Sequence, residues 1–144
     1  MSGLLIPIDG DHPGHTREAI DRAIALCGAG SHPVHLLSVQ LPVSKHVGMF
    51  FAESELRRLH KEMGEEELVA HRQRLAEAGV PFDCLIRVGR RAQTIASVAR
   101  ELDCDTVVMG PDSPQGLAGR LTGSVAQQVR HLLAGVGAIE VLGA

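Results

Sequence analysis

The sequence predicts an α/β fold, a doubly wound five-stranded parallel sheet with helices on both faces, formed as a single domain over residues 1–144. Three observations predict it. Short apolar runs alternate along the chain with segments whose apolar residues recur every three or four positions, so strands alternate with helices. The stretches between successive strands are long enough for the helical crossovers that parallel strands require, and such crossovers are right-handed. A chain of 144 residues, 44% of them hydrophobic, fills one core of ordinary size and is too short for two.

The elements follow in order. Residues 4–8 are a continuous apolar run with Pro7 near its end, closed by the turn residues Asp9-Gly10-Asp11, and form strand one. Ala19, Ile20, Ala23, Ile24 and Cys27 share one helical face, which Gly28-Ala29-Gly30 terminates. Residues 34–39 are the second strand. Residues 41–51 contain Pro and Gly without a clear period and read as a mobile connection. A charged helix is expected over about residues 53–78, with Leu56, Leu59, Met63, Leu68 and Leu75 as a sparse apolar stripe and Gly64 as a break or bend. Gly79-Val80-Pro81 ends it, and residues 82–88 are strand three. Ala92, Ile95, Ala96, Ala99 and Leu102 mark the next helix, residues 106–109 strand four, and residues 138–142 a weak fifth strand after the last helix.

Residues 103–129 carry the strongest functional signal. A short apolar strand ends at Gly110, whose missing Cβ lets backbone or ligand come close. Thirteen residues later Gly123-Ser124 opens a helix with Val125, Val129, Leu132 and Leu133 on one face. The first N–H groups of a helix lack intrahelical partners and carry the positive end of its dipole, so they favour an anion. In a doubly wound sheet, ligands bind beyond the carboxyl ends of the strands where the winding reverses. If strands one and four are neighbours at that reversal, Asp9 and the glycine loop converge on one crevice. A nucleotide suits it: Asp9 accepts from ribose hydroxyls, Gly110 and the Gly123-Ser124 helix start meet phosphates, and adenine sits among Pro7, Val39 and Met109.

Other classes are excluded or disfavoured. A net charge of −3 and an aromatic content of 2% leave neither a basic footprint nor stacking platforms for nucleic acid. The first residues enter a strand at once, without a basic leader or a long apolar run, so neither a signal peptide nor a membrane segment is expected and the compartment reads as cytoplasmic. Cys27, Cys84 and Cys104, odd in number and widely spaced, suit reduced core thiols rather than disulfides or a cysteine-rich metal site. His12 and His15 flank a Pro-Gly turn without an evident third ligand, so no metal site is assigned. His32 and His35, three apart at a strand start, point to opposite faces. Ser124 and His131 lie about 10 Å apart along a helix axis and cannot pair as nucleophile and base. No lysine follows Gly123 as in a P-loop. Asp9 has an alternative reading as a turn or cap residue, and the two glycines as simple turns.

These residues resemble the universal stress protein family along nearly the whole chain. Leu5-Ile6-Pro7-Ile8-Asp9-Gly10 is similar to the family's opening strand ending in Asp, Leu36-Leu37-Ser38-Val39 to its second strand, and residues 103–110 to the strand before its nucleotide loop. Gly89 with Ile95 and Ala99 resembles the glycine-led start of its third helix. The family's ATP signature is Gly, two residues, Gly, nine residues, then Gly with Ser or Thr. Here it reads Gly110, Pro111-Asp112, Ser113, nine residues, then Gly123-Ser124, so the spacing is kept while Ser113 replaces the second glycine and Asp112 adds a negative charge. The resemblance implies a regulatory, non-catalytic protein that binds ATP or another adenine nucleotide through Pro7, Asp9, Val39, Met109, Gly110, Ser113, Gly123, Ser124 and Val125. It also implies a homodimer paired through the last strand, where Glu140 places a charge, and a regulatory protein partner not identified by sequence. The alternatives are a family member that has lost nucleotide binding and acts through protein contacts alone, and a hydrolase or nucleotidyl-transfer enzyme on the same sheet.

Overall fold

The computed structural model describes residues 3–27, 33–110, 124–135 and 139–142. Among these, strands β1 (Leu4–Pro7), β2 (Val34–Gln40), β3 (Phe82–Val88), β4 (Thr106–Val108) and β5 (Glu140–Leu142) form one sheet in the order β3-β2-β1-β4-β5. Every neighbouring pair is parallel. The helices are α1 (Pro13–Cys27), α2 (Lys45–Gly48), α3 (Glu53–Glu77), α4 (Arg91–Glu101) and α5 (Val125–Leu133).

Strand alternation sorts the core into two layers. Leu4, Ile6 and Ile8 project to one face, where Ala19, Ile20 and Ala23 of α1 and Leu68 and Leu75 of α3 cover them. Leu5 projects to the other, packed with Ile95, Ala96 and Ala99 of α4 and Val129 and Leu133 of α5. Both faces of the central strands are therefore buried, which is why they read as unbroken apolar runs. The chain winds from β1 through β2 to β3, then crosses back to add β4 and β5 on the far side of β1. The winding thus reverses between β1 and β4.

The cysteines lie in or against these layers outside any disulfide, Cys27 and Cys104 buried and Cys84 half-buried. Burial, with the nearby charges of Asp105, Asp103 and Asp83 adding to it, pushes the Cys104 thiol up to about 11. Burial first, then Asp105, raises Cys27 as well.

The structure corrects two expectations. Residues 41–51 are not an irregular connection throughout: they contain α2, whose N-cap Ser44 accepts a hydrogen bond from the Val47 N–H at 3.2 Å. Gly64 does not break the long helix, for α3 runs without interruption from Glu53 to Glu77. Gly64 is buried against β3, where an added Cβ would come within 2.8 Å of Ile86 Cδ1. The glycine lets helix and strand approach closely. Only the second half of α3 is inserted in this way: Gly64, Leu68, His71 and Leu75 are buried, while Leu59 and Met63 of the expected stripe stand exposed.

Candidate functional site

Pro7 marks the place where the sheet opens. The Leu4 and Ile8 N–H groups donate toward the β2 side, to Pro33 O at 2.9 Å and Leu37 O at 2.8 Å, so the odd residues of β1 turn their nitrogens toward β4. Proline has no N–H to give. Pairing of β1 with β4 covers Leu4 with Thr106 and Leu5 with Val107, whereas pairing with β2 continues to Pro7 with Leu37. The two strands at the reversal part at Pro7, and their diverging carboxyl ends lead into Asp9 on one side and Gly110 on the other.

An apolar wall lines this end of the sheet. Val39 and Val125 pack against the same layer as buried Met109, and Pro7 shares the face of Leu5 by strand alternation. On the opposite face of β2, buried Ser38 and Gln40 bind a carboxylate of α3. Ser38 Oγ donates to Glu67 Oε2 at 3.0 Å, and Gln40 Nε2 donates to Ser38 Oγ at 3.0 Å and to Glu67 Oε2 at 3.2 Å. At the edge of the crevice, Arg91 Nη2 donates to the Ile8 carbonyl at 3.0 Å and brings a cation beside the peptide that precedes Asp9.

Asp9 organises the first turn after β1. Its backbone N–H donates to Thr16 Oγ1 at 2.7 Å, its Oδ1 accepts from the Asp11 N–H at 3.1 Å, and its Oδ2 lies 3.2 Å from His12 Nδ1. The turn reading of Asp9 is thus realised, with the carboxylate still partly exposed. Gly110 also has a local explanation. A Cβ there would collide with the His15 carbonyl, so the absence of a side chain lets the end of β4 pass against the first turn of α1.

At the start of α5, Ser124 is the N-cap of a capping box. Its hydroxyl accepts from the Gln127 N–H, and the Gln127 side chain accepts from the Ser124 N–H, both at 3.1 Å. Two backbone donors that the sequence reading left for an anion are occupied within the helix itself. The signal was present as Ser124, two residues, then Gln127. Ser113 and Gly123 lie outside the described residues, as does His32. His35, paired in register with Asp83, sets its Nδ1 2.5 Å from Asp83 Oδ1. The sequence reading missed Arg91, Glu67 and Gln40, whose roles depend on contacts across the fold.

The universal stress protein family model matches residues 2–133. The chain belongs to the universal stress protein family. Solved structures of the family share the architecture over essentially the full length. One universal stress protein, in complex with cAMP, is 20% identical, with 99% of this chain and 96% of that one covered and a TM-score of 0.71. A universal stress protein from Lactobacillus plantarum is 18% identical at the same coverage and TM-score. A family protein from Arabidopsis thaliana with AMP bound is 16% identical, covering 99% and 90%, with a TM-score of 0.64. At these identities the likeness establishes the fold. Among the described residues no helix is long and apolar enough to cross a membrane.

Proposed function

We propose that this universal stress protein is a cytoplasmic stress-response regulator that binds an adenine nucleotide at the reversal between β1 and β4 and works as a homodimer with a regulatory protein partner. The observation that carries the reading is the parting of β1 and β4, with Val39, Met109 and Val125 in one apolar layer, Pro7 on the face of β1 that this layer covers and Asp9 just past the strand end. The base packs on that layer, Asp9 accepts from ribose hydroxyls, and the segment from Gly110 through Ser113 to Gly123, Ser124 and Val125 meets the phosphates. Family proteins solved with cAMP and with AMP support the ligand class. The role is binding rather than turnover.

A second reading, regulation through protein contacts without a nucleotide, draws on two observations. The α5 capping box occupies donors that phosphate would use, and Asp112 brings a negative charge into the loop. At short range and in a water-like dielectric such a repulsion costs on the order of 1 kcal/mol and grows with the number of phosphates. Mass spectrometry of gently purified protein, followed by titration with AMP, ADP and ATP, separates the readings. AMP or ADP is expected to bind no worse than ATP, and Asp112→Arg with Ser113→Gly to shift the preference toward ATP. Tightest binding of ATP by the wild type would refute the electrostatic argument. No binding by either protein would leave the contact-only regulator.

A further inference from the structure

We propose that Asp9, His12 and His15 form a binding site for a divalent transition-metal cation of the Zn2+ class in the nucleotide-free protein, a site that shares the Asp9 carboxylate with the proposed ribose contact. One carboxylate oxygen and two imidazole nitrogens, all partly exposed, lie within 4.8 Å of one another. Among the described residues no other group of three such side chains converges in this way. The Asp9 Oδ2 to His12 Nδ1 separation of 3.2 Å is close to the edge of about 3.4 Å that joins two ligands of a tetrahedral zinc at ordinary bond lengths. His15 needs only a side-chain rotation, its ring stacked on that of His12 at 4.8 Å between centroids.

The backbone sets up this arrangement. The N–H of His12 donates to the Asp9 carbonyl at 3.2 Å, and that of His15 donates to the His12 carbonyl at 3.0 Å, which winds the two imidazoles onto one side of the first turn of α1. Asp11 N–H holds Asp9 Oδ1, leaving Oδ2 toward the histidines, the kind of outer contact that orients a metal-bound carboxylate. Two imidazoles and one carboxylate select a borderline cation over Mg2+ or Ca2+, which prefer all-oxygen sites. Three protein ligands leave a position for water or an outside donor. The carboxylate offsets the unfavourable field of the helix start and of Arg91 on the Ile8 carbonyl.

The test uses the full chain without an affinity tag, stripped with chelator and free of nucleotide, so that its outcome does not depend on the nucleotide reading. Calorimetry with Zn2+ is expected to give one site per chain. His12→Ala and His15→Ala should each weaken it by about tenfold or more. His60→Ala, on α3, should leave it unchanged. Co2+ should give visible ligand-field bands without thiolate charge transfer, which separates this site from the cysteines. His15→Gln, with circular dichroism matching the wild type, serves as a second variant should alanine disturb the turn. Absence of one-to-one binding, full affinity in the histidine variants, or a thiolate spectrum would each overturn the proposal.

Discussion

At Gly110 a single missing Cβ decides how two distant segments meet. The sequence marked this glycine for close approach, and the structure supplies the neighbour: the backbone carbonyl of His15 at the start of α1. Backbone cannot swing aside as a flexible side chain can, so Gly110→Ala must displace either the end of β4 or the first turn of α1. The expected loss of stability is roughly 1–3 kcal/mol, the cost of overpacking a tight contact. Chemical denaturation checks it; an unchanged midpoint and slope would show that the contact yields freely. Asp9, by contrast, was readable both as a turn residue and as a ligand group. Its bonds to Asp11 and Thr16 realise the first without using up the carboxylate oxygen that faces His12.

On the scale of elements, α3 shows where periodicity misleads. Its apolar residues suggested a stripe from Leu56 to Leu75, but the helix is inserted only from Gly64 onward, and the buried face includes His71. Burial disfavours the imidazolium, so the His71 pKa is lowered from its ordinary value near 6.5. The unfolded chain then binds a proton that the folded chain resists as pH falls through the unfolded value. Stability is full above about pH 6.5 and declines below it. Replacing His71 with Met removes this contribution, so the difference in unfolding free energy between wild type and His71→Met should move against the wild type on acidification from pH 7.5 to 5.5. A pH-independent difference in parallel denaturation curves would contradict it. The stripe failed because a helical period identifies a face without saying which turns of the helix the sheet covers.

For the whole molecule, the sheet order exposes a consequence of β5 being short and terminal. Among the described residues β5 pairs with β4 alone, with Val141 turned inward and Glu140 exposed. An edge strand presents unpaired N–H and C=O groups to solvent unless something covers it. A second copy related by a two-fold axis is the economical cover, and we expect a homodimer. Light scattering at tens of micromolar protein should return twice the chain mass. A monomer mass across that range would remove both the dimer and its proposed β5 interface. In a dimer paired through β5 the exposed Glu140 of each copy would face the other, so raised salt is expected to tighten it by screening the two charges.

The alternation of apolar runs with helical periods was enough to establish the parallel α/β sheet, because hydrophobic pattern and crossover length are properties of the chain read locally. The signature spacing from Gly110 to Ser124 likewise stood in the sequence, as did the Ser124 to Gln127 capping box, although that box went unread. Contacts between distant segments were decided only in three dimensions. Pro7 became the point where β1 and β4 part because the side on which its N–H is missing is the one that faces β4, which only the strand order decides. Gly64 became a seat for Ile86 instead of a break, since packing against β3 outweighs the low helix propensity of one glycine. Asp9, by contrast, joined His12 and His15 locally: their three-residue spacing stood in the sequence, but the turn after β1 that folds the carboxylate back over the start of α1 was seen only in the structure.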